Sequence, residues 1–237
     1  MHDVFDVTAP VELKPFPIPD QELLKRYEVL QTACVNDMLD KYYQLYHQVI
    51  PEDIKPTVDG QKLVGFAYTL KSVRTPIVEG ETTFRDRAAR FLSAFFPNSV
   101  AVIDSSGDYG VSHFGEMMAT GAKTQGCIGA VIDGGIRDLD GINKLGLKTW
   151  CRYRTPRDTT NRARNIAWMI PINIRDVVVN PGDVVFGDID GVVIIPRDIA
   201  YDVLLKTEAI MGEEDTWRKM LATGISPTEA VERGVRW

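Results

Sequence analysis

Glu116, Arg137 and Asp138 combine residue types and a spacing that could do chemistry. Glu116 stands in the run Gly115-Glu116-Met117-Met118, which reads as a loop entering a helix. Twenty residues separate it from Arg137. A helix, a short turn and a strand need about that length to bring the chain back to the same side of a sheet. Backbone N–H groups in a first helical turn lack intrahelical acceptors and carry the positive end of the macrodipole. Glycine at 115 lets a ligand approach them closely, so a carboxylate or phosphate fits there. Arg137 offers a planar fork for a carboxylate or a developing oxyanion. Asp138 offers a ligand for a hard cation such as Mg²⁺, which takes one or two protein carboxylates and keeps several waters. Each piece also has a structural reading: Glu116 as a first-turn acid, Asp138 as the cap of a helix beginning Leu139-Asp140, Arg137 as a partner for a surface acid. Together, at this spacing, they favour a site.

Weaker candidates surround them. Asp104 ends an apolar run, and His113 stands just before Gly115 as a possible proton carrier. Asp188 and Asp190 read as turn formers. Glu213 and Glu214 fall on the exposed face of a C-terminal helix, where solvated acids are the default, and spacing does not by itself bring them to a neighbouring subunit's site. Lys123 lies on the helix after Glu116 and is not expected to be a nucleophile. The chain has no G-x-S-x-G elbow, P-loop, H-E-x-x-H or G-x-G-x-x-G. Serine-hydrolase, phosphate-loop and dinucleotide chemistry therefore lack their usual signatures.

The elements that must position these residues are legible from periodicity. Residues 7–19 carry four prolines and read as an extended arm. Asp20 and Thr32 are expected helix caps. Residues 62–73 read as a strand, and residues 82–96 as a helix with Phe84, Ala88, Phe91, Leu92 and Phe95 on one side. The continuous apolar run 100–104 suits a strand covered on both faces. A helix from Gly115, a strand at 128–132 leaving sharply at Asp133-Gly134-Gly135, a short helix after Asp138 and a strand at 148–153 continue a β/α alternation. That alternation implies mostly parallel strands with right-handed crossovers. After an arginine-rich loop at 152–164, short β runs at 173–179, 183–187 and 191–195 are punctuated by turn residues and predict a smaller mixed or antiparallel sheet. A long helix at 200–221 follows, and Ser226-Pro227-Thr228-Glu229 is a capping box for a last one. The expected organisation is an arm at 1–19 and one α/β domain at 20–237, closed by C-terminal helices from about 197.

Composition narrows the class. The 237 residues suit one domain with a sizeable core. The net charge of −6 comes from scattered acids without a Lys/Arg block, so neither nucleic acid nor a membrane surface is an expected partner. Cys34, Cys127 and Cys151 are widely spaced and read as buried thiols in a reducing compartment. No basic–apolar leader is apparent, and no run reaches the roughly 18 apolar residues of a membrane span. A cytoplasmic setting is the expectation.

At these residues the chain resembles the class II 4-hydroxy-4-methyl-2-oxoglutarate / 4-carboxy-4-hydroxy-2-oxoadipate aldolases. That family shares its fold with the regulator of ribonuclease activity A and with proteins long mislabelled as demethylmenaquinone methyltransferases. The marker is an acidic residue, twenty intervening positions and Arg-Asp, here Glu116 and Arg137-Asp138. Further matches are Gly65-Phe66-Ala67-Tyr68-Thr69, Ala122-Lys123 with Gly126, Asp133-Gly134-Gly135, Pro181-Gly182-Asp183 leading into Asp188-Ile189-Asp190-Gly191-Val192-Val193, and Gly224-Ile225-Ser226. The similarity spans about residues 28–235. Glu116 replaces the aspartate of the best-studied aldolases, and the arm and the 152–164 loop differ. The resemblance implies a compact, swivelling-domain-like αββα sandwich, assembling as a trimer or dimer of trimers with sites between subunits. It implies that the amides of Gly115–Met118 bind a pyruvoyl carboxylate and that Arg137 contacts the keto or enolate oxygen. Asp138 would hold Mg²⁺ or Mn²⁺ with Glu116 positioning water, and Glu213 or Glu214 of a neighbour would complete the shell. The implied activity is cleavage of a 4-hydroxy-2-oxo acid to pyruvate and a second carbonyl compound, with oxaloacetate decarboxylation. The alternatives are a non-catalytic, protein-binding regulator on the same fold and a lyase for another oxo acid or sugar-acid derivative, its second anion read by the arginine-rich loop.

Overall fold

The computed structural model describes residues 12–75, 80–108 and 110–234, with the backbone alone at 81–83. Helices α1 (Asp20–Glu28) and α2 (Thr32–Met38), the latter ending in a π-helical turn, precede β1 (Lys55–Pro56) and the long strand β2 (Leu63–Arg74). The alternating part follows as α3 (Glu81–Ser93), β3 (Ser99–Asp104), β4 (Ser112–Phe114), α4 (Glu116–Thr124), β5 (Gly129–Ile136), α5 (Leu139–Lys144) and β6 (Lys148–Arg154). Then come β7 (Ala163–Trp168), β8 (Ile172–Ile174), β9 (Val177–Val179), β10 (Val184–Gly187) and β11 (Val192–Ile195), closed by α6 (Arg197–Leu221) and α7 (Pro227–Glu232).

Among the described residues, nine strands make one curled mixed sheet in the order β1-β6-β5-β3-β2-β10-β11, with β4 beside β5 and β7 beside β2. The central pairings β2–β3, β3–β5, β4–β5 and β5–β6 are parallel. Strand alternation splits the side chains between two cores. Val100 and Val102 of β3 join a cluster covered by the β8–β9 hairpin, while Ala101 and Ile103 face α3, α4 and α5. A third cluster packs α1, α2 and α6 against β2, β10 and β11. Each fully buried Val, Leu or Ile in these layers contributes about 1.5–3 kcal/mol.

The expected smaller sheet is smaller still. Among the described residues only β8 and β9 stand apart, as a hairpin, whereas residues 183–195 extend the main sheet through β10 paired antiparallel to β2. The reason is their composition: β10 and β11 are buried at every position. Such strands need cover on both faces, and the free edge of β2 supplies a place that has it.

Helix starts also differ from expectation. Pro19, rather than Asp20, is the cap of α1, and α2 is capped from a distance. Asp188 accepts from the Thr32 amide at 2.9 Å and the Thr32 hydroxyl at 2.7 Å. The Ser226 cap is as read, its hydroxyl accepting from the Glu229 amide at 3.1 Å with Pro227 in the first turn. Residues 1–11 of the proline-rich arm lie outside the described residues. The rest of the arm is held to the sheet by Phe16, which stacks on Phe66 at 5.6 Å under the Arg197 guanidinium. Among the described residues, no helix is long and apolar enough to cross a membrane.

Candidate active site

Parallel pairing of two strand ends builds the site. Ser112 and Phe114 of β4 lie opposite Gly135 and Ile136 of β5, and the Arg137 amide donates to the Phe114 carbonyl at 3.1 Å. The chain therefore leaves the two strands side by side, into α4 at Gly115 and into α5 at Arg137-Asp138. Gly134 and Gly135 do not form the sharp exit expected of them. They sit inside β5, where a Cβ would press within 2.8 Å of the His113 ring at one position and of the Tyr153 ring at the other. Glycine is what lets these neighbours approach the strand.

Gly115 works the same way. Its backbone is extended, so no special dihedral is needed, but a Cβ would lie 3.0 Å from Asp138 Oδ2 and 3.1 Å from Arg137 Nε. Asp138 adopts the left-handed conformation (φ 57°), uncommon for a non-glycine residue and tolerated best by Asp and Asn. Its carboxylate makes no cap bond to α5. Instead Oδ2 accepts from the Glu116 amide at 3.3 Å and lies 3.3 Å from Arg137 Nε. The structural alternative for Asp138, capping its own helix, is thus not the arrangement found. The Glu116 carboxyl crosses to α5 and lies against Gly141, where any Cβ would collide with it.

The three residues do come together, yet they face two depressions. Arg137 divides a cavity of about 520 Å³, bordered by Met117, Met118 and Gly115, from a shallower one of about 320 Å³ bordered by Asp138 and Arg154. The large cavity has an apolar side of Phe84, Phe91, Leu92 and Met118. Phe84, expected on the buried face of its helix, is half exposed and belongs to this wall. The polar lining comes from Arg87, Arg164 and the loop residues Asp158, Thr159, Thr160 and Asn161. Asp158 was not legible as a site residue. The arginine-rich composition of its loop was visible, but only the path of the loop places Asp158 Oδ2 3.6 Å from Arg137 Nη1.

Several weaker candidates have structural partners. Asp104 pairs with Lys71 at 2.7 Å and accepts from the Ser106 amide at 2.8 Å. Asp188 also accepts from the Asp190 amide at 2.9 Å, shaping the expected turn. Lys123 is tethered to the Leu145 carbonyl at the end of α5. Glu214 pairs with Arg218 at 2.6 Å near Cys34 of α2, and neither Glu213 nor Glu214 borders the cavity of its own chain. The three cysteines are buried and free, and burial pushes Cys127 and Cys151 up to about 11.

His113 borders the cavity while its ring is almost wholly buried, with Nδ1 3.0 Å from Ser72 Oγ and Nε2 3.3 Å from Asp108 Oδ2. Burial lowers its pKa, and the Asp108 carboxylate only partly opposes this. The folded state resists a proton that the unfolded chain accepts below 6.5, so His113 stabilises the fold above that pH, and the contribution is lost as pH falls. The urea midpoint is expected to decline below pH 6.5, more steeply in wild type than in His113→Gln. Equal slopes in the two proteins would exclude this mechanism.

Among the described residues, no three His, Cys, Asp or Glu side chains converge as metal ligands. Glu116 and Asp138 nevertheless supply hard carboxylate oxygens at adjoining helix starts, and Asp138 is half exposed. That donor set fits a cation that keeps most of its water, as Mg²⁺ does, and does not fit a dehydrated, fully protein-ligated metal.

The model of one protein family, described as RraA-like: Aldolase/RraA, matches residues 32–194. The chain belongs to the RraA-like family. Among relatives, Protein DlpA of Legionella pneumophila subsp. pneumophila is 31% identical over 179 residues, 76% of this chain. The match spans only 29% of that longer protein. A Halalkalibacterium halodurans protein named "Putative 4-hydroxy-4-methyl-2-oxoglutarate aldolase" is 28% identical over 88% of this chain and 93% of its own length. A crystal structure described as novel cellulases from microbes associated with the gut ecosystem is 37% identical, with a TM-score of 0.81 over 87% of this chain and 91% of that one. Streptomyces coelicolor RraAS2, described as an unusual member of the RNase ES inhibitor RraA protein family, is 25% identical, with a TM-score of 0.73 over 86% of this chain and 99% of that one. The mixed sheet of mostly parallel central strands with a small second sheet is therefore the RraA-like fold. The family includes both aldolases and ribonuclease inhibitors, so the fold by itself does not choose between them.

Proposed function

We propose that this RraA-like protein is a divalent-metal-dependent class II pyruvate aldolase that also decarboxylates oxaloacetate. The observation that carries the reading is the junction of Gly115, Glu116, Arg137 and Asp138, where a Cβ on Gly115 would crowd both Arg137 and Asp138. The named likeness of the Halalkalibacterium relative supports it. Both reactions break the bond between C3 and C4 of a 2-oxo acid and leave the pyruvate enolate. First-turn amides of α4 at Met117 and Met118 receive the pyruvoyl carboxylate at the positive end of the helix. Arg137 binds the ketone oxygen and stabilises the charge that develops there. Asp138 holds Mg²⁺ or Mn²⁺, and Glu116 orients water beside it; a cation bound there supplies Lewis-acid polarisation of the ketone. The reading includes a cytoplasmic trimer or dimer of trimers, in which Glu213 or Glu214 of a neighbour completes the water shell of the cation.

The test is pyruvate release from oxaloacetate and from 4-hydroxy-4-methyl-2-oxoglutarate, coupled to lactate dehydrogenase, with Mg²⁺, Mn²⁺ or EDTA. Turnover is expected with either metal, and a loss of at least about 100-fold in EDTA and in Asp138→Ala, a mutation that removes transition-state charge stabilisation. Equal rates with and without metal would overturn the mechanism. A folded, metal-loaded protein inert towards both acids would transfer the weight to the protein-binding regulator or to another oxo acid.

A further inference from the structure

Resting on the aldolase reading, we infer that Asp158 is the group that binds the substrate's 4-hydroxyl and takes its proton during carbon–carbon cleavage. Asp158 lies outside the Glu116/Arg137-Asp138 constellation in sequence, on the loop between β6 and β7. It shares the wall of the large cavity with Arg137, its Oδ2 3.6 Å from Arg137 Nη1. The ketone and hydroxyl oxygens of a 4-hydroxy-2-oxo acid are borne on carbons separated by one methylene. A group binding the first oxygen therefore neighbours the group binding the second, which is the relation of Arg137 to Asp158.

The carboxylate is also held in place. Oδ1 accepts from the Thr160 amide at 2.8 Å and Oδ2 from the Thr160 hydroxyl at 3.0 Å. The loop that carries it is tied at both ends: Ser112 N–H donates to the Arg157 carbonyl at 2.7 Å, and Thr75 N–H to the Arg162 carbonyl at 2.9 Å. A carboxylate half exposed to the cavity and fixed by a turn is preorganised to accept a proton, not merely to decorate a surface. The Glu116 carboxyl is less well placed for this work, since it lies against Gly141 of α5 and does not border the cavity.

The step balances without a further reactant. As the C3–C4 bond breaks, its electron pair passes to C3 and the ketone oxygen as the pyruvate enolate. The C4 hydroxyl becomes a carbonyl, and its proton passes to Asp158. The resulting carboxylic acid then returns a proton to C3 of the enolate. In oxaloacetate the leaving carbon departs as CO₂, no hydroxyl proton is removed, and the enolate takes its C3 proton from solvent water, so the two reactions make different demands on Asp158.

Steady-state pyruvate release by wild type, Asp158→Asn and Asp158→Glu, from oxaloacetate and from 4-hydroxy-4-methyl-2-oxoglutarate, separates the possibilities. Asp158→Asn is expected to slow cleavage of the hydroxy acid by at least about 100-fold, the usual worth of general-base catalysis. Decarboxylation, which removes no hydroxyl proton, should fall by a factor at least about tenfold smaller than cleavage does, and Asp158→Glu should recover part of the cleavage. Equal losses in both reactions would mean that Asp158 acts only through Arg137, and no loss in either would mean that it has no role; both overturn the inference. Wild type that decarboxylates oxaloacetate but leaves the hydroxy acid intact overturns it while sparing the enolate chemistry. Wild type inert towards both overturns the aldolase reading and this inference together.

Discussion

Arg137→Ala is expected to lower kcat for pyruvate release by about 10²–10³-fold, the range seen when one oxyanion donor is removed, while the thermal midpoint moves by no more than a few degrees. Both halves follow from position. The side chain is about one-third exposed, and its carboxylate neighbours, Asp138 at 3.3 Å and Asp158 at 3.6 Å, are at least as exposed. Exposed ion pairs of this kind contribute only about 0–1 kcal/mol each. The guanidinium nonetheless stands between two depressions and beside the start of α4, where the negative charge of an enolate would collect. Arg137→Lys should recover little, because an ammonium on a flexible stem cannot keep the planar fork between two carboxylates. Steady-state kinetics and a thermal melt on the same samples check both halves. Unchanged kcat in a folded Arg137→Ala protein would remove Arg137 from the mechanism.

Arg152→Leu should do the reverse, destabilising the protein by about 3–5 kcal/mol at neutral pH through loss of a buried ion-pair partner. Arg152 and Asp133 are each 2% exposed at the side chain and face one another across β6 and β5. Arg152 also reaches Asp53, which is half exposed and can turn to solvent once the guanidinium is gone. Asp133 has no such escape. Its other oxygen accepts from the Gly107 amide at 2.9 Å, and burial already raises its pKa above the ordinary 3.8, opposed by Arg152. Removing Arg152 raises it further, so the folded variant prefers the protonated acid. The sign then follows: the deficit is smallest in acid, where Asp133 is neutral in both states, and grows as pH rises through its raised folded value. Urea unfolding of wild type and variant at pH 5 and pH 7.5 reads this directly. A deficit independent of pH would show that lost packing, rather than a stranded carboxylate, is responsible.

How much of this was legible in advance differs by element. The β3 run Val100–Ile103 declared a strand covered on both faces, and the structure covers it with helices on one side and the β8–β9 hairpin on the other. The Ser226 cap and the first-turn position of Glu116 were likewise visible, because caps and dipole preferences act within one turn of chain. The spacing from Glu116 to Arg137 foretold their meeting, since one helix and one strand leave the chain few other places to return to. Long-range pairing was not legible. Nothing local to β10 and β11 says that they join β2, and nothing in Asp188 says that it caps α2.

The sequence by itself thus determined the alternating elements and the Glu116/Arg137-Asp138 junction, because those depend on periodicity and on short connections. Only the tertiary structure decided that Gly134 and Gly135 serve close packing inside β5, that Asp138 points at α4 instead of capping α5, and that Asp158 shares a cavity wall with Arg137. Each of these is a contact between segments distant along the chain, fixed by how whole faces pack and by the path of a loop, and no local preference encodes it.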